Sequence, residues 1–315
     1  MARKVILDVD PGIDGAVALA MALFDPRLDV VAVTAVGGNV SASQATRNVQ
    51  AIIEQLDPPR WPRIGAASEP ERAPITDRRD LHGPDGLGGA NFVTAELHHR
   101  HSSEKVLTDE LRSSPDQVTI LTLGPLTNIA AVLRRDPGLA GQIGHLMMSG
   151  GAVRVSGDVT PTAEFGIFCD PMSARMAFRS RATKTLVPLD VTQQVAFTYG
   201  HLDQFPDESS RVGRLLRKVL PFAFRAHHQR LGLEHIFLPD AVTVAALQHP
   251  ELFQVQSLGG DVETTGELTA GSTVFDRRVS PEWRGNMEVA LEIDPTSIMD
   301  VVLRSLAEAA KQTRD

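Results

Sequence analysis

The chain has 315 residues, 42% of them hydrophobic and 22% charged, and a formal net charge of −8. That is enough apolar material for a full core, and the acidic balance argues against nucleic acid as a partner, which wants a basic face. One cysteine, Cys169, excludes an internal disulfide and a cysteine-rich zinc site, and no apolar run approaches the ~20 residues that span a bilayer, so a cytoplasmic protein without membrane contacts is expected.

The apolar run Val5 to Leu7 reads as a buried parallel strand. Alternation puts Asp8 and Asp10 on the same side of it. Pro11 and Gly12 break the strand, and Asp14 stands where a helix should begin, as a candidate N-cap ahead of Ala16 to Phe24. Three carboxylates this close repel one another unless something positive lies between them, and a hard cation held by oxygens meets that need. For one Asp before a helix, a solvated cap is the simpler reading. Three acids around Pro-Gly, at the strand end where open α/β sheets carry their ligands, favour a site.

Further strands are expected at Leu28 to Val36, Arg63 to Ala66, Gln117 to Leu123, His145 to Ser149 and Thr185 to Leu189. Helices are expected from Ser41 or Ser43 to Leu56, from Ser103 to Arg112, from Leu126 onward, and after Asp170, which caps a helix whose first residue is Pro171. A long loop runs from about Ala67 to Ala90; loops of this length in a compact domain are usually functional lids or disordered. The recurring strand-loop-helix order predicts an α/β fold with a mostly parallel sheet flanked by helices. Later come a helix over Glu208 to Leu231 with Pro221 inside it, a helix opened by Pro239-Asp240, and a closing helix over Pro295 to Lys311. The β-like runs 261–267, 271–276 and 286–291 suggest a small antiparallel addition at a sheet edge. No linker or repeat is visible, so a single domain, 1–315, is expected.

No phosphate loop, nucleophile elbow or HExxH zinc motif occurs. An apolar strand followed by Asp-x-Asp also opens haloacid-dehalogenase-type phosphatases, but those continue with Gly where this chain has Pro11, which leaves a phosphatase as a distant alternative.

DxDPGxD at the amino terminus is followed by VGGN at 36–39, HGPDGLGG at 82–89, GPLTNIA at 124–130, MSGGA at 148–152, TAEFGIFCDP at 162–171 and PDAV at 239–242. Together these resemble the inosine-uridine-preferring nucleoside hydrolases over almost the whole length. The resemblance implies hydrolysis of the N-glycosidic bond of a ribonucleoside or related N-riboside, with Ca²⁺ as cofactor, in a homodimer or homotetramer. It makes Asp10 a metal ligand and the base for water, and Leu123 a ligand through its backbone carbonyl. Asp240 would hold metal and the 3′ hydroxyl, Asp14 the 2′ hydroxyl, and Glu164 the 5′ hydroxyl. Asn39 and His82 would line the pocket, His82 near the base, and Asp158 would take the place of an amide at the 5′ hydroxyl.

The chain departs from the pattern at three places. Gly15 stands where a second metal-binding Asp is expected, Gly166 where an Asn holds the ribose, and Pro239 where purine-favouring members carry an acidic His. His235 lies near enough in sequence to substitute for that histidine. Phe165, Phe168 and Tyr199 are candidates to stack on a base. The departures leave two readings: a hydrolase with altered metal dependence or substrate, and a ribose-binding or regulatory protein that has lost catalysis.

Overall fold

The computed structural model of the chain describes residues 2–68, 77–95 and 100–314. Nine strands form one sheet, in the order β10-β13-β7-β6-β5-β1-β2-β3-β4. These are β1 (Arg3–Val9), β2 (Leu28–Ala35), β3 (Arg63–Ala66), β4 (His101–Ser102), β5 (Val118–Leu123), β6 (Ile143–Ser149), β7 (Lys184–Val187), β10 (Phe253–Leu258) and β13 (Met287–Ile293). Every pairing is parallel except that of β10, the edge strand, with β13. Two small antiparallel two-stranded sheets stand apart: β8 (Ala196–Thr198) with β9 (His235–Phe237), and β11 (Gly260–Val262) with β12 (Thr273–Phe275).

The central strands are apolar at nearly every position because both sheet faces are covered, as parallel sheets require. Val5, Leu7 and Val9 face one core, shared with helices α1 (Ile13–Leu23), α2 (Ala42–Leu56), α9 (Arg211–Leu231), α10 (Pro239–Gln248) and α11 (Pro295–Gln312). Ile6, Ile120, Leu146 and Met148 face the other, shared with α4 (Ser103–Ser113), α5 (Thr127–Arg135) and α7 (Pro171–Arg179). The register aligns the carboxyl ends of β1, β2 and β5, with Val9 opposite both Ala35 and Leu123. From β1 the chain crosses to β2 on one side and later to β5 on the other. The crevice between β1 and β5 is therefore a topological switch point, where such sheets bind ligands.

The parallel α/β fold and its main elements follow the sequence expectation. Ser41 caps α2 through the N–H of Gln44, and Asp170 caps α7 ahead of Pro171. Four details differ. Gly12, in extended conformation, is the N-cap of α1, and Asp14 sits inside the first turn with its Oδ1 on the N–H of Gly15. The strand run ends at Val187, because Leu189 already begins a short helix, α8 (Leu189–Thr192). Of the three late β-like runs, 261–267 and 271–276 carry the antiparallel pair β11–β12, whereas in 286–291 β13 joins the main sheet, parallel to β7 and antiparallel to β10, since the chain between β7 and β13 is long enough for a crossover. The antiparallel edge is β10 instead. Within the long loop, residues 69–76 lie outside the described residues, and the remainder contains a single helical turn, α3 (Arg79–His82).

Candidate active site

Asp10 follows β1 and projects beyond the carboxyl edge of the sheet. Its Oδ2 accepts the N–H of Asn39 at 3.2 Å, and its carbonyl accepts the Asn39 side-chain amide at 2.7 Å. Gly38 and Gly124 make this placement possible. A Cβ on Gly38 would come within 2.3 Å of the Asp10 carboxylate, and one on Gly124 within 2.8 Å. Both glycines are needed for close approach, which is why Gly-Gly-Asn and Gly-Pro follow these strands.

Asp8 is not part of this group. It is buried one step earlier, where its Oδ1 takes hydrogen bonds from Thr34 at 2.6 Å and Asn128 at 2.7 Å, and its Oδ2 has no partner. The carboxylates that join Asp10 come from remote segments. Asp14 lies in the first turn of α1, Asp240 in the first turn of α10, and Glu164 ahead of the short helix α6 (Phe165–Cys169). These four, with Asn39, His82, Leu123, Asp158 and Phe165, line one cavity of about 330 Å³, a volume ordinary for a small-molecule site. Asp10, Asp14, Asn39, His82, Leu123, Asp158, Glu164, Phe165 and Asp240 therefore border the same space, whereas Asp8 does not.

The acids are held differently. Glu164 caps α6, its Oε1 on the N–H of Gly166 and its Oε2 on those of Ile167 and Gly151. Asp158 spends Oδ1 on the N–H of Phe165 at 2.8 Å and Oδ2 on Arg78 at 2.7 Å. Asp240, 5% exposed, accepts no hydrogen bond from any described residue. Burial, followed by repulsion from Asp14, pushes the carboxyls of Asp10 and Asp240 well above the usual range. Burial moves Asp14 up to about 6 and, with repulsion from Asp158, Glu164 up to about 7. A carboxyl whose pKa rises on folding stabilises the fold only while protonated. Below its unfolded pKa that stabilisation is fully present, and it fades as pH climbs through the folded pKa. In chelator, stability from Glu164 and Asp14 should therefore fall between about pH 4 and pH 7. Urea melts at pH 5 and pH 8 check this; equal midpoints would contradict it.

Several lining residues escaped sequence reasoning, Arg78, His227 and Phe237 among them. Arg78 sits on the rim, bonded to Asp158 and stacked 4.9 Å over the Phe165 ring, and its carbonyl receives the N–H of His82. His227 and Phe237 come from α9 and β9. None belongs to a motif; each reaches the cavity only through tertiary packing, although His227 stands on the buried face of an amphipathic helix, a weak signal. His235 does not line the cavity: it packs against Phe237 at 4.8 Å. Of the stacking candidates, Phe165 borders the space. Tyr199 lies against Phe224 and is 60% exposed, and Phe168 is outside the lining.

Residues 5–300 match the family model of the inosine-uridine preferring nucleoside hydrolases. A non-specific ribonucleoside hydrolase, RihC, of Salmonella enteritidis PT4 is 37% identical over 294 residues, covering 92% of this chain and 93% of the relative. Among solved structures, a purine-preferring ribonucleoside hydrolase from Gardnerella vaginalis superposes with a TM-score of 0.90 at 27% identity, covering 99% of this chain and all (100%) of the other. A plant nucleoside hydrolase superposes with a TM-score of 0.88 at 30% identity, covering 97% and 99%.

Proposed function

The chain belongs to the inosine-uridine preferring nucleoside hydrolase family, and from that premise we propose that it hydrolyses the N-glycosidic bond of ribonucleosides at the cavity built around Asp10. The observation that carries this reading is the unpartnered, buried carboxylate of Asp240 facing the same cavity as Asp10 and Asp14. A neutral sugar supplies what these acids lack, namely hydroxyl donors. An anionic substrate would meet four carboxylates and one arginine already engaged by Asp158.

The reaction develops positive charge on the ribose ring as the base departs, and the surrounding carboxylates stabilise it. Asp10, fixed by Asn39, takes the proton from the attacking water. Asp14 accepts the 2′ hydroxyl and Asp240 the 3′ hydroxyl. Glu164, already holding three backbone N–H groups, is a rigid acceptor for the 5′ hydroxyl, and Phe165 closes that side of the sugar.

The family implies Ca²⁺, and the donor set suits a hard cation: carboxylates of Asp10 and Asp240 and the carbonyl of Leu123 are all oxygen. It is a thin set. Among the described residues no three His, Cys, Asp or Glu side chains form a metal group, and Gly15 leaves open the space where another carboxylate would stand. When bound, calcium supplies positive charge that holds sugar hydroxyls and eases ionisation of water. Fewer acidic ligands favour weaker binding. A ribose-binding protein without turnover is the second reading, and it draws on Gly15 and Gly166.

Release of base from inosine, uridine, cytidine and adenosine, followed by ultraviolet absorbance with and without added Ca²⁺, tests the proposal. Hydrolysis of at least one is expected; ribose binding without hydrolysis would favour the second reading. Arg78→Ala is expected to raise KM roughly three- to tenfold with a smaller change in kcat, since a rim ion pair is worth about 1 kcal/mol. Arg78→Lys should recover part of the loss. A homodimer or homotetramer remains part of this proposal, to be read by light scattering. No helix among the described residues is long and apolar enough to cross a membrane.

A further inference from the structure

Two imidazoles share one wall of the cavity, and backbone hydrogen bonds decide which nitrogen of each ring holds the proton. The Nδ1 of His82 accepts the N–H of Ile13 at 3.0 Å, so that nitrogen is bare and the neutral ring carries its proton on Nε2. The Nδ1 of His227 lies 2.9 Å from the carbonyl oxygen of Ala223. A carbonyl can only accept, so Nδ1 carries the proton and Nε2 keeps a lone pair. Neither Nε2 has a partner among the described residues, and both residues line the cavity.

The rings are held neutral as well as oriented. Burial, with the Arg78 charge nearby, moves His82 down to about 3. Burial also lowers His227, against the opposing pull of the Ala223 carbonyl and Asp14. At neutral pH the pair therefore offers one N–H donor and one lone-pair acceptor. Leu81, Leu231, Leu233 and Phe237 line the same cavity and supply apolar surface that suits a flat heterocycle.

We propose that His227 is a specificity-determining residue for the leaving base: its Nε2 accepts a hydrogen bond from a base N–H, while the Nε2–H of His82 donates to a neighbouring carbonyl oxygen or ring nitrogen. The inference rests on the nucleoside hydrolase reading of this cavity. It selects bases that present a donor beside an acceptor and rejects those whose donor is blocked, because a site built to pair a polar group loses most when that group is missing.

Uracil in uridine has a single N–H, at N3, and hypoxanthine in inosine a single N–H, at N1, so methylation there removes the only donor His227 can use. The protein is expected to hydrolyse 3-methyluridine and 1-methylinosine with kcat/KM roughly 10- to 100-fold below the parent nucleosides, the cost of one unpaired buried group. His227→Leu, similar in bulk, should hydrolyse uridine poorly and lose the discrimination between uridine and 3-methyluridine. His227→Gln, whose amide oxygen accepts, should restore discrimination. His82→Ala should lower activity and keep the methyl penalty. Equal kcat/KM for methylated and parent nucleosides in the unmodified protein, or an unchanged penalty in His227→Leu, would overturn the inference. The first comparison needs no variant, so a misfolded substitution does not block the test. Should no nucleoside be hydrolysed, the functional reading fails. Equilibrium dialysis of uridine against 3-methyluridine then decides the inference separately, with equal affinities overturning it and weaker binding of the methylated form supporting it.

Discussion

Asp10→Asn is expected to lower kcat for nucleoside hydrolysis by about 10²- to 10⁴-fold, the usual contribution of a positioned general base. Asparagine matches aspartate in shape, so the tight fit between Gly38 and Gly124 is kept and the N–H of Asn39 still finds an oxygen. What disappears is the basic oxygen that takes the proton from water, together with one of the acidic ligands proposed for calcium. KM should change less than kcat, because Asp14 and Asp240 still face the sugar. Stability should move the other way. Burial, and after it repulsion from Asp14 and Glu164, pushes the Asp10 carboxyl well above the ordinary range, so an uncharged side chain is better tolerated there and the variant should melt higher in chelator. Steady-state kinetics with inosine and uridine, paired with thermal melts in EDTA, check both halves. A variant that keeps more than about a tenth of the parent kcat would remove Asp10 from the role of base.

Gly15→Asp is expected to change calcium binding more than any other single substitution. Gly15 lies in the first turn of α1, and a Cβ there meets only Asp240 Oδ2, at 3.5 Å, an ordinary contact. A carboxylate fits without displacing backbone and adds charge beside Asp240, which accepts no hydrogen bond from the described residues. Calcium affinity follows ligand charge, so the variant should bind the ion at least about tenfold more tightly, worth ~1.4 kcal/mol of added stabilisation at saturating ion. In EDTA the extra repelling acid should lower the melting temperature below that of the parent. The signature is thus a larger calcium-induced shift from a lower starting point. Adding Gly166→Asn, whose Cβ would lie 3.4 Å from Glu164 Oε1, supplies a ribose contact and should lower KM. If Gly15→Asp responds to calcium no more than the parent, the thin donor set is not the consequence of Gly15.

The strands, most helices and several of the residues that line the cavity were legible because they are local or patterned. Apolar, β-branched runs such as Val5 to Leu7 and Val118 to Leu123, bounded by turn residues, read as buried strands, and Pro171 behind Asp170 announces a helix start. Asp10, Asp14 and Asp240 could be named because short motifs around strand ends carry them. One acid, Asp8, departs from the expected group. Asp8 shares the parity of Asp10, but parity fixes a face and not a height, and one step lower on the strand Asp8 meets Thr34 and Asn128 instead of the cavity.

What the linear chain determined was the fold class and the residue types at the strand ends: a parallel sheet, with carboxylates and glycines where its strands stop. Tertiary structure alone decided the rest. Arg78 and Asp158 lie on different segments, yet their ion pair forms the rim of the cavity. His227 is an unremarked residue on a long helix until the sheet and α9 bring it beside the site, and its useful tautomer is set by a carbonyl of its own helix. His82 owes its own to the first N–H of α1. The physical reason is range. Periodicity and turn chemistry act over a few residues, whereas cavity lining, charge repulsion and proton placement depend on which remote groups share a few ångströms of buried space.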